Sequence, residues 1–407
     1  MSVTVHRVML EGMRVKMKNT FTTVDFGTGK IVALTARTSG RMRCDIMGMG
    51  NCRYAGFADR RWNDPASLNE AISKAVQDAE QDAHIRIHEV TVGVPGEFSN
   101  VYTVETKVDI QGAEKRVTAN DIDNLLRQAQ RELNLDNAAP LHRSPAWFMV
   151  GDGKKTLEPV GMHGETLRGR ISFVVADPFF VDDVSERFRA LGITVESFLS
   201  TPVGQAMRFV PPEERDRTAV LIDMGYLNTE VMAVEGEAVV FHRTLPVGGG
   251  NIAADVAYGL NIPLDSAEQI KQSYVFGVSG GTEDFTVADR DGVNKTFTRD
   301  EVKEVLEPRV EEIAEQIAET IKMSGIRLGV NSVAYLVGGG LVINRGGREF
   351  LSTKLGRTVR EAQQKMGKLS SPVYTSALGV LDLMIETRNS THPIGGLKGF
   401  FSDLFGG

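Results

Sequence analysis

The sequence predicts an α/β protein of two related lobes with a compact α+β insert, on three observations. The stretches VDFGTGKIVALTA at 24–36 and IDMGYLNTEVMAVEG at 222–236 share one pattern: strand, Asp-x-Gly turn, strand. Self-similarity of this kind is what repeated supersecondary units leave in a sequence, and a cleft between the lobes follows from it. Apolar strand-like runs and helices of 3.6-residue period recur on both sides of residue 200. Between about Ile87 and Ala176 the texture changes to strands with polar turns and one amphipathic helix, the mark of an insert.

Taken in order, Thr20–Ala36 reads as a hairpin around Gly-Thr-Gly, and Pro65–Ala83 as a helix with Asp64 as its N-cap and Leu68, Ile72, Ala75, Val76 and Ala79 on one face. Val90–Val94 is a buried strand. The insert carries a helix at Ala119–Leu133 and a loop at 151–167, and ISFVVA at 171–176 resumes the strands. A helix at Val181–Leu191 precedes the second hairpin, 218–250. A short helix at Ser266–Tyr274 follows, then a long one at 298–325 with Val302, Leu306, Val310, Ile313, Ile317 and Ile321 on one face. Pro308 inside it predicts a kink or a restart. VAYLVGGGL at 333–341 is a strand running into three glycines, and 371–387 a last strand and helix; the body ends near Arg388.

Composition excludes several classes. With 407 residues, 42% hydrophobic and 24% charged, the chain has the length of two to four domains. Its 46 Lys and Arg against 53 Asp and Glu lack the basic excess that a phosphate backbone needs, so nucleic acid is not a partner. Cys44 and Cys52, with no CxxC, read as two reduced thiols. No run of about 20 apolar residues spans a bilayer and no signal-peptide core opens the chain. Residues 1–19 read as an N-terminal extension in which Met13 and Met17 offer later starts. His84 and His88 lack the Glu of an HExxH frame, and GVPGEFS at 93–99 lacks the Ser of a nucleophile elbow.

The Asp-x-Gly turns carry the chemistry. Backbone N–H groups of a tight turn can cup phosphate oxygens, and the leading carboxylate can hold Mg²⁺ through water. Gly27 permits close approach, Thr28 adds a hydroxyl donor and Lys30 a point charge. Either turn alone reads equally as a plain hairpin turn. The runs Gly248–Gly250 and Gly338–Gly340, each after an apolar strand, add backbone that a ligand could approach, or sharp strand-to-helix turns.

These motifs, in this order over roughly 20–388, resemble the actin, Hsp70 and sugar kinase ATPase superfamily and, within it, the bacterial division family FtsA. VDFGTGK resembles the first phosphate motif and IDMGYLNTE the second. LPVGGGNIAADVAYGLNIPLDSAEQIK resembles the connecting segment, and VAYLVGGGL the adenosine motif. LEPVGMHGETLRGRISFVV resembles the segment of the subdomain that this family carries in place of the usual actin insertion.

The resemblance implies a two-lobed actin-like ATPase (ribonuclease H-like) fold with an FtsA-type inserted α+β subdomain. Lobe I would comprise 20–86 and 176–217 with 357–388, the insert 87–175, and lobe II 218–356 with an outer subdomain at about 256–325. It implies ATP with Mg²⁺ as cofactors. Asp25 and Asp223 would face the metal, Asp223 as the catalytic carboxylate, with Gly27, Thr28, Lys30, Gly225, Thr229, Gly249 and Gly250 lining the phosphates. Glu268 and Lys271, at i and i+3, would reach ribose and base, or form a solvated ion pair. Gly338, Gly339 and Gly340 would let the nucleotide lie against backbone. The second motif departs from the pattern: Tyr226 and Leu227 stand where many members have two glycines, and Glu230 where Asp is common. No residue placed to orient an attacking water can be picked, so the expectation is ATP binding with at most slow hydrolysis.

The last residues place Leu397, Phe400, Phe401, Leu404 and Phe405 on one helical face. Such a face suits a membrane monolayer, a partner's groove or the chain's own body. The resemblance implies a membrane-targeting helix after a linker, within 389–407. It further implies a protein that polymerises with itself at the cytoplasmic face of the membrane, anchors filaments of the tubulin-like FtsZ at the septum and recruits other division proteins. The alternatives are a PilM-like adaptor of a pilus or secretion machine and a sugar kinase of the same superfamily.

Overall fold

The computed structural model describes residues 20–38, 44–134, 139–277, 284–329, 332–362 and 369–389. These form two compact units, one of the residues up to 56, 62–204 and from 376 on, the other of 57–61 and 205–375. The expected membrane face, Leu397, Phe400, Phe401, Leu404 and Phe405, lies outside the described residues.

In the first unit, β1 (Thr20–Phe26) and β2 (Lys30–Thr38) pair antiparallel around the three-residue turn, Phe26 opposite Ile31. β3 (Cys44–Arg53) continues the meander. Helix α1 (Pro65–Ala83) starts where the Asp64 carboxylate accepts from the Ala66 amide and ends on His84 in the left-handed region, φ 53°. Its small face lies close on β3: a Cβ at Gly50 would stand 1.8 Å from the Ala75 carbonyl oxygen, and one at Gly48 2.4 Å from that of Ala79. β4 (Glu89–Val94) then adds parallel to β1.

The insert is a three-stranded antiparallel sheet, β5 (Ser99–Asp109), β6 (Ala139–Val150) and β7 (Thr166–Ala176), in the order β5-β7-β6. Helix α2 (Ala119–Leu133) covers it through Leu125, Leu126 and Ala129 against Phe148, Leu167, Ile171 and Phe173. Because β4 belongs to the main sheet, the insert begins after Val94, not at residue 87. Helix α3 (Pro178–Ala190) begins three residues before the expected Val181, since Asp177 caps it and Pro178 occupies its first turn. β8 (Thr194–Ser200) completes a five-stranded sheet, β8-β4-β1-β2-β3. Helix α4 (Thr201–Phe209) carries the chain into the second unit.

The second unit repeats that topology. β9 (Ala219–Met224), β10 (Thr229–Glu235) and β11 (Ala238–Leu245) form the meander. Helices α5 (Gly249–Gly259) and α6 (Leu264–Ser273), the hairpin β12 (Phe285–Ala288) and β13 (Asn294–Phe297), and helix α7 (Arg299–Met323) come next. β14 (Ala334–Val337), helix α8 (Gly347–Leu355) and β15 (Val359–Glu361) finish the sheet β11-β10-β9-β14-β15. Three antiparallel strands followed by two parallel ones, in one order, make the second sheet a copy of the first.

Three further expectations change. The helix α7 runs through Pro308 as one element, without a restart. A proline in a helix costs about 3 kcal/mol, whereas the fully buried Val302, Leu306, Val310, Ile313 and Ile317 contribute about 1.5–3 kcal/mol each. Residues 205–217 and 357–375, expected in lobe I, lie in the second unit; β15 pairs parallel with β14. The strand expected near 371 is a single 3-10 turn, Pro372–Tyr374, leading into helix α9 (Thr375–Asn389).

Candidate functional site

The first turn is built from the end of β1. Asp25 is only 3% exposed, opposite Gly93 in the parallel neighbour β4. Its Oδ1 accepts from the Thr201 hydroxyl at 3.4 Å and its Oδ2 from the Ser376 hydroxyl at 2.5 Å. A Cβ at Gly93 would stand 2.7 Å from the Thr201 oxygen and 2.6 Å from Val380, so glycine is required beside the carboxylate. The Gly27 amide donates to the Lys30 carbonyl at 3.0 Å, and the Tyr54 hydroxyl donates to the Gly27 carbonyl at 2.8 Å. Thr28 is buried in the turn. Burial lowers the Lys30 amine to about 8, with Asp25 opposing and Arg53 adding to the shift, so it is a cation at neutral pH. Asp25, Gly27, Thr28 and Lys30 thus form one constellation: a buried carboxylate, a tight turn, a hydroxyl and an amine.

The second turn brings together Asp223, Gly225, Thr229 and both glycine runs. Asp223 Oδ2 accepts from Gln205 Nε2 at 2.6 Å. Its Oδ1 lies beside Gly338, whose φ of +85° and lack of a Cβ let the chain pass: a Cβ there would be 2.2 Å from that oxygen. The amides of Gly249, Gly250 and Gly340 donate to the carbonyls of Gly225, Tyr226 and Met224 at 2.9, 2.6 and 2.7 Å. The glycine runs therefore serve first to nest backbone on backbone. Gly339 lies against Val373. The Thr229 hydroxyl, expected at the phosphates, donates to the Val247 carbonyl at 2.7 Å inside the unit. Glu230, across the hairpin, lies 3.2 Å from His242 Nε2.

Lys271 differs most from expectation. Its amine, 2% exposed, donates to the Gly249 carbonyl at 2.9 Å and pairs with Glu268 at 2.8 Å. It anchors the glycine run from within, neither reaching outward nor forming a solvated pair. Burial lowers its pKa against the raising effect of Glu268. Asn344, from the turn after β14, donates to the carbonyls of Lys271 and Tyr274 and fixes the end of α6.

Comparison with known proteins follows this geometry. A family model described as "Cell division protein FtsA" matches residues 220–379, and one described as "SHS2 domain inserted in FTSA" matches 96–175. Together they account for more than half of the chain, in the order that the sheets and insert require. The chain belongs to the FtsA family. The FtsA relative from Neisseria meningitidis serogroup B, "Cell division protein FtsA", is 26% identical over 369 residues, 88% of each chain. Among solved structures, a chain of the PilM-PilN type IV pilus biogenesis complex aligns with TM-score 0.62 and 17% identity over 90% of this chain and 98% of that one. MreB5 of Spiroplasma citri bound to ADP aligns with TM-score 0.50 and 12% identity over 91% and 98%. These likenesses show the fold, an actin-like ATPase fold that carries the FtsA-type insert at β5–β7.

Sequence reasoning missed Gly93, Thr201, Gln205 and Ser376, all set around the two aspartates. Gly93 alone left a signal, since a glycine inside the apolar strand EVTVGV marks close approach. The other three meet their aspartates across long sequence separations that no local pattern encodes.

Proposed function

We propose that this FtsA-family chain is an ATP-binding cell-division protein that polymerises on the inner face of the cytoplasmic membrane, anchors FtsZ filaments at the septum and recruits later division proteins. The observation that carries this reading is the ordered match of both FtsA models, insert included, on a duplicated actin-like sheet. In this reading Thr28 and Lys30 hold phosphate oxygens, with Gly27 and Gly225 giving the turns their close approach. Asp25 and Asp223 hold Mg²⁺ through water.

Each aspartate, taken in its own unit, offers the oxygen donors that such an ion takes. Each carboxylate accepts hydrogen bonds from neutral hydroxyl or amide groups of its own unit, which hold its oxygens in place. Among the described residues no three His, Cys, Asp or Glu side chains converge as a metal cluster. Phosphate oxygens and water would therefore supply most of the coordination, the usual habit of Mg²⁺. The bound ion would neutralise phosphate charge. Turnover is at most slow in this reading, since Glu230, where an Asp is common in the second motif, faces His242.

Among the described residues no helix is long and apolar enough to cross a membrane. Attachment would rest on Leu397, Phe400, Phe401, Leu404 and Phe405, a face that binds lipid marginally alone and strongly when many copies share a filament. The test is co-sedimentation of the full chain, and of a chain ending at Arg388, with anionic liposomes with and without Mg-ATP. The reading expects lipid binding that ATP strengthens and truncation removes. Equal recovery of both chains in the supernatant would overturn it. The structural likeness to PilM supports a second reading, a cytoplasmic adaptor of a pilus or secretion machine. That reading expects the supernatant result.

A further inference from the structure

The insert and the main sheet of the first unit are joined through a buried histidine. His142, on β6 opposite Val174 of β7, is 0% exposed. Its Nε2 accepts from the backbone amide of Ser200 at 2.8 Å, across 58 residues of chain. A ring nitrogen that accepts carries no proton, so the imidazole is the neutral Nδ1–H tautomer. Burial acts in the same sense and lowers its pKa to about 3. The bond falls where β8 passes into α4. Ser200, fully buried, caps that helix, its hydroxyl oxygen accepting from the Val203 amide at 3.3 Å. Thr201, the next residue, donates its hydroxyl to Asp25 Oδ1 at 3.4 Å. Ser200 also stands opposite Val94 in the β8–β4 ladder, and the neighbouring Gly93 stands opposite Asp25. Insert, helix start and carboxylate are thus contiguous within one unit.

We infer that His142 is a positioning residue for Asp25: by holding the Ser200 amide it fixes the start of α4, and with it the Thr201 hydroxyl on the carboxylate. A shift of the insert's sheet would therefore reach the first turn. The inference concerns the first unit alone and stands whether or not a nucleotide binds.

The experiment is native-state hydrogen exchange of the full chain, read on the β1 peptide Thr20–Phe26. The variants are His142→Leu, His142→Gln, Thr201→Val, and a double variant carrying His142→Leu with Thr201→Val. Leucine has bulk but no acceptor, whereas the side-chain oxygen of glutamine can take the Ser200 amide. His142→Leu and Thr201→Val should each speed exchange about tenfold, the cost of one buried polar group left unpaired. His142→Gln should stay within about threefold of wild type. The double variant should exchange no more than about threefold faster than the faster single variant, because either change alone already releases the Thr201 contact. A histidine that only fills space would instead give the product of the two single effects. That product overturns the inference, as does a glutamine variant as fast as leucine. So does an unchanged Thr20–Phe26 in either folded single variant. NMR of isotope-labelled histidines in wild type decides without any variant having to fold: the Nδ1–H tautomer is expected at His142, and a proton on Nε2 overturns the inference.

Discussion

Replacing Gly338 by alanine tests whether the second aspartate is held by close packing. Gly338 has φ +85°, and an added Cβ would meet Asp223 Oδ1 at 2.2 Å and the Met224 carbonyl oxygen at 2.4 Å. A residue with a Cβ pays about 1–2 kcal/mol to sit in the left-handed region. Overpacking against backbone, which no rotamer change relieves, adds about 1–3 kcal/mol. The expected destabilisation of the second sheet is therefore about 2–5 kcal/mol. Gly356 supplies the control: its φ is +56°, but nothing lies within 4 Å of an added Cβ. Its alanine variant should lose only the backbone term, about 1 kcal/mol. Because a chain of two units need not unfold in a single step, native-state hydrogen exchange read by peptide is the suitable assay. Peptides covering Ala219–Met224 and Ala334–Val337 should exchange roughly 30-fold to several thousand-fold faster in Gly338→Ala, and under about tenfold faster in Gly356→Ala. Mg-ATP affinity should fall in the first variant and hold in the second. If Gly338→Ala costs no more than Gly356→Ala, the packing of Asp223 against this glycine is not what holds the carboxylate.

Two further outcomes follow from buried amines. Burial holds Lys30 at about 8 in the folded chain, below its unfolded value of about 10.4. Between those values the unfolded chain binds the extra proton, so wild-type stability rises with pH from about 8 upward. Lys30→Met should lack that rise, melt above wild type at pH 7 and yet bind Mg-ATP more weakly; a lower melting temperature at pH 7 would refute the assignment. Lys271→Met should cost about 1–3 kcal/mol, because the Gly249 carbonyl and the Glu268 carboxylate both lose a buried partner. An unchanged urea midpoint would show that the amine does not anchor the glycine run.

The parts of this fold that were legible in the sequence are those specified locally. The two Asp-x-Gly hairpins were readable because strand, turn and strand fall within about fifteen residues. So was α1, with its Asp64 cap and apolar stripe. β3 was not: Gly48 and Gly50 dilute its strand character, and their purpose, admitting α1 against the sheet, is tertiary. Of the kink or restart that Pro308 suggested, the restart does not occur, because five buried side chains on the same helix outweigh the local rule. The split of 357–375 depended on β15 finding β14, which sequence order alone does not reveal. The site shows the same division. Asp25 and Asp223 were identifiable from their turns, but the groups that hold them stand 176 and 351 residues from Asp25 and 18 from Asp223. Glu268 and Lys271 looked the same whether solvated or buried, because i and i+3 spacing fixes only that they meet.

The duplicated sheets make the two turns comparable position by position, and the comparison bears on turnover. Asp25 and Asp223 stand at one topological place, near the end of the central strand that opens each meander. Beyond them the turns diverge. The first continues into Thr28 and into Lys30, whose amine at about 8 is charged at neutral pH. The second continues into Tyr226 and Leu227, with its glycine amides donating inward and Glu230 facing His242. On the reading proposed above, affinity for polyphosphate would come mainly from the first turn. Phosphoryl transfer needs more than affinity: it needs donors aimed at charge that develops on the terminal phosphate, and a group that orients the attacking water. With the Gly225, Gly249 and Gly250 amides bonded to backbone carbonyls, the second turn would supply fewer such donors. Bound nucleotide would then mark a conformational state favourable to assembly, with release rather than hydrolysis setting how long that state lasts.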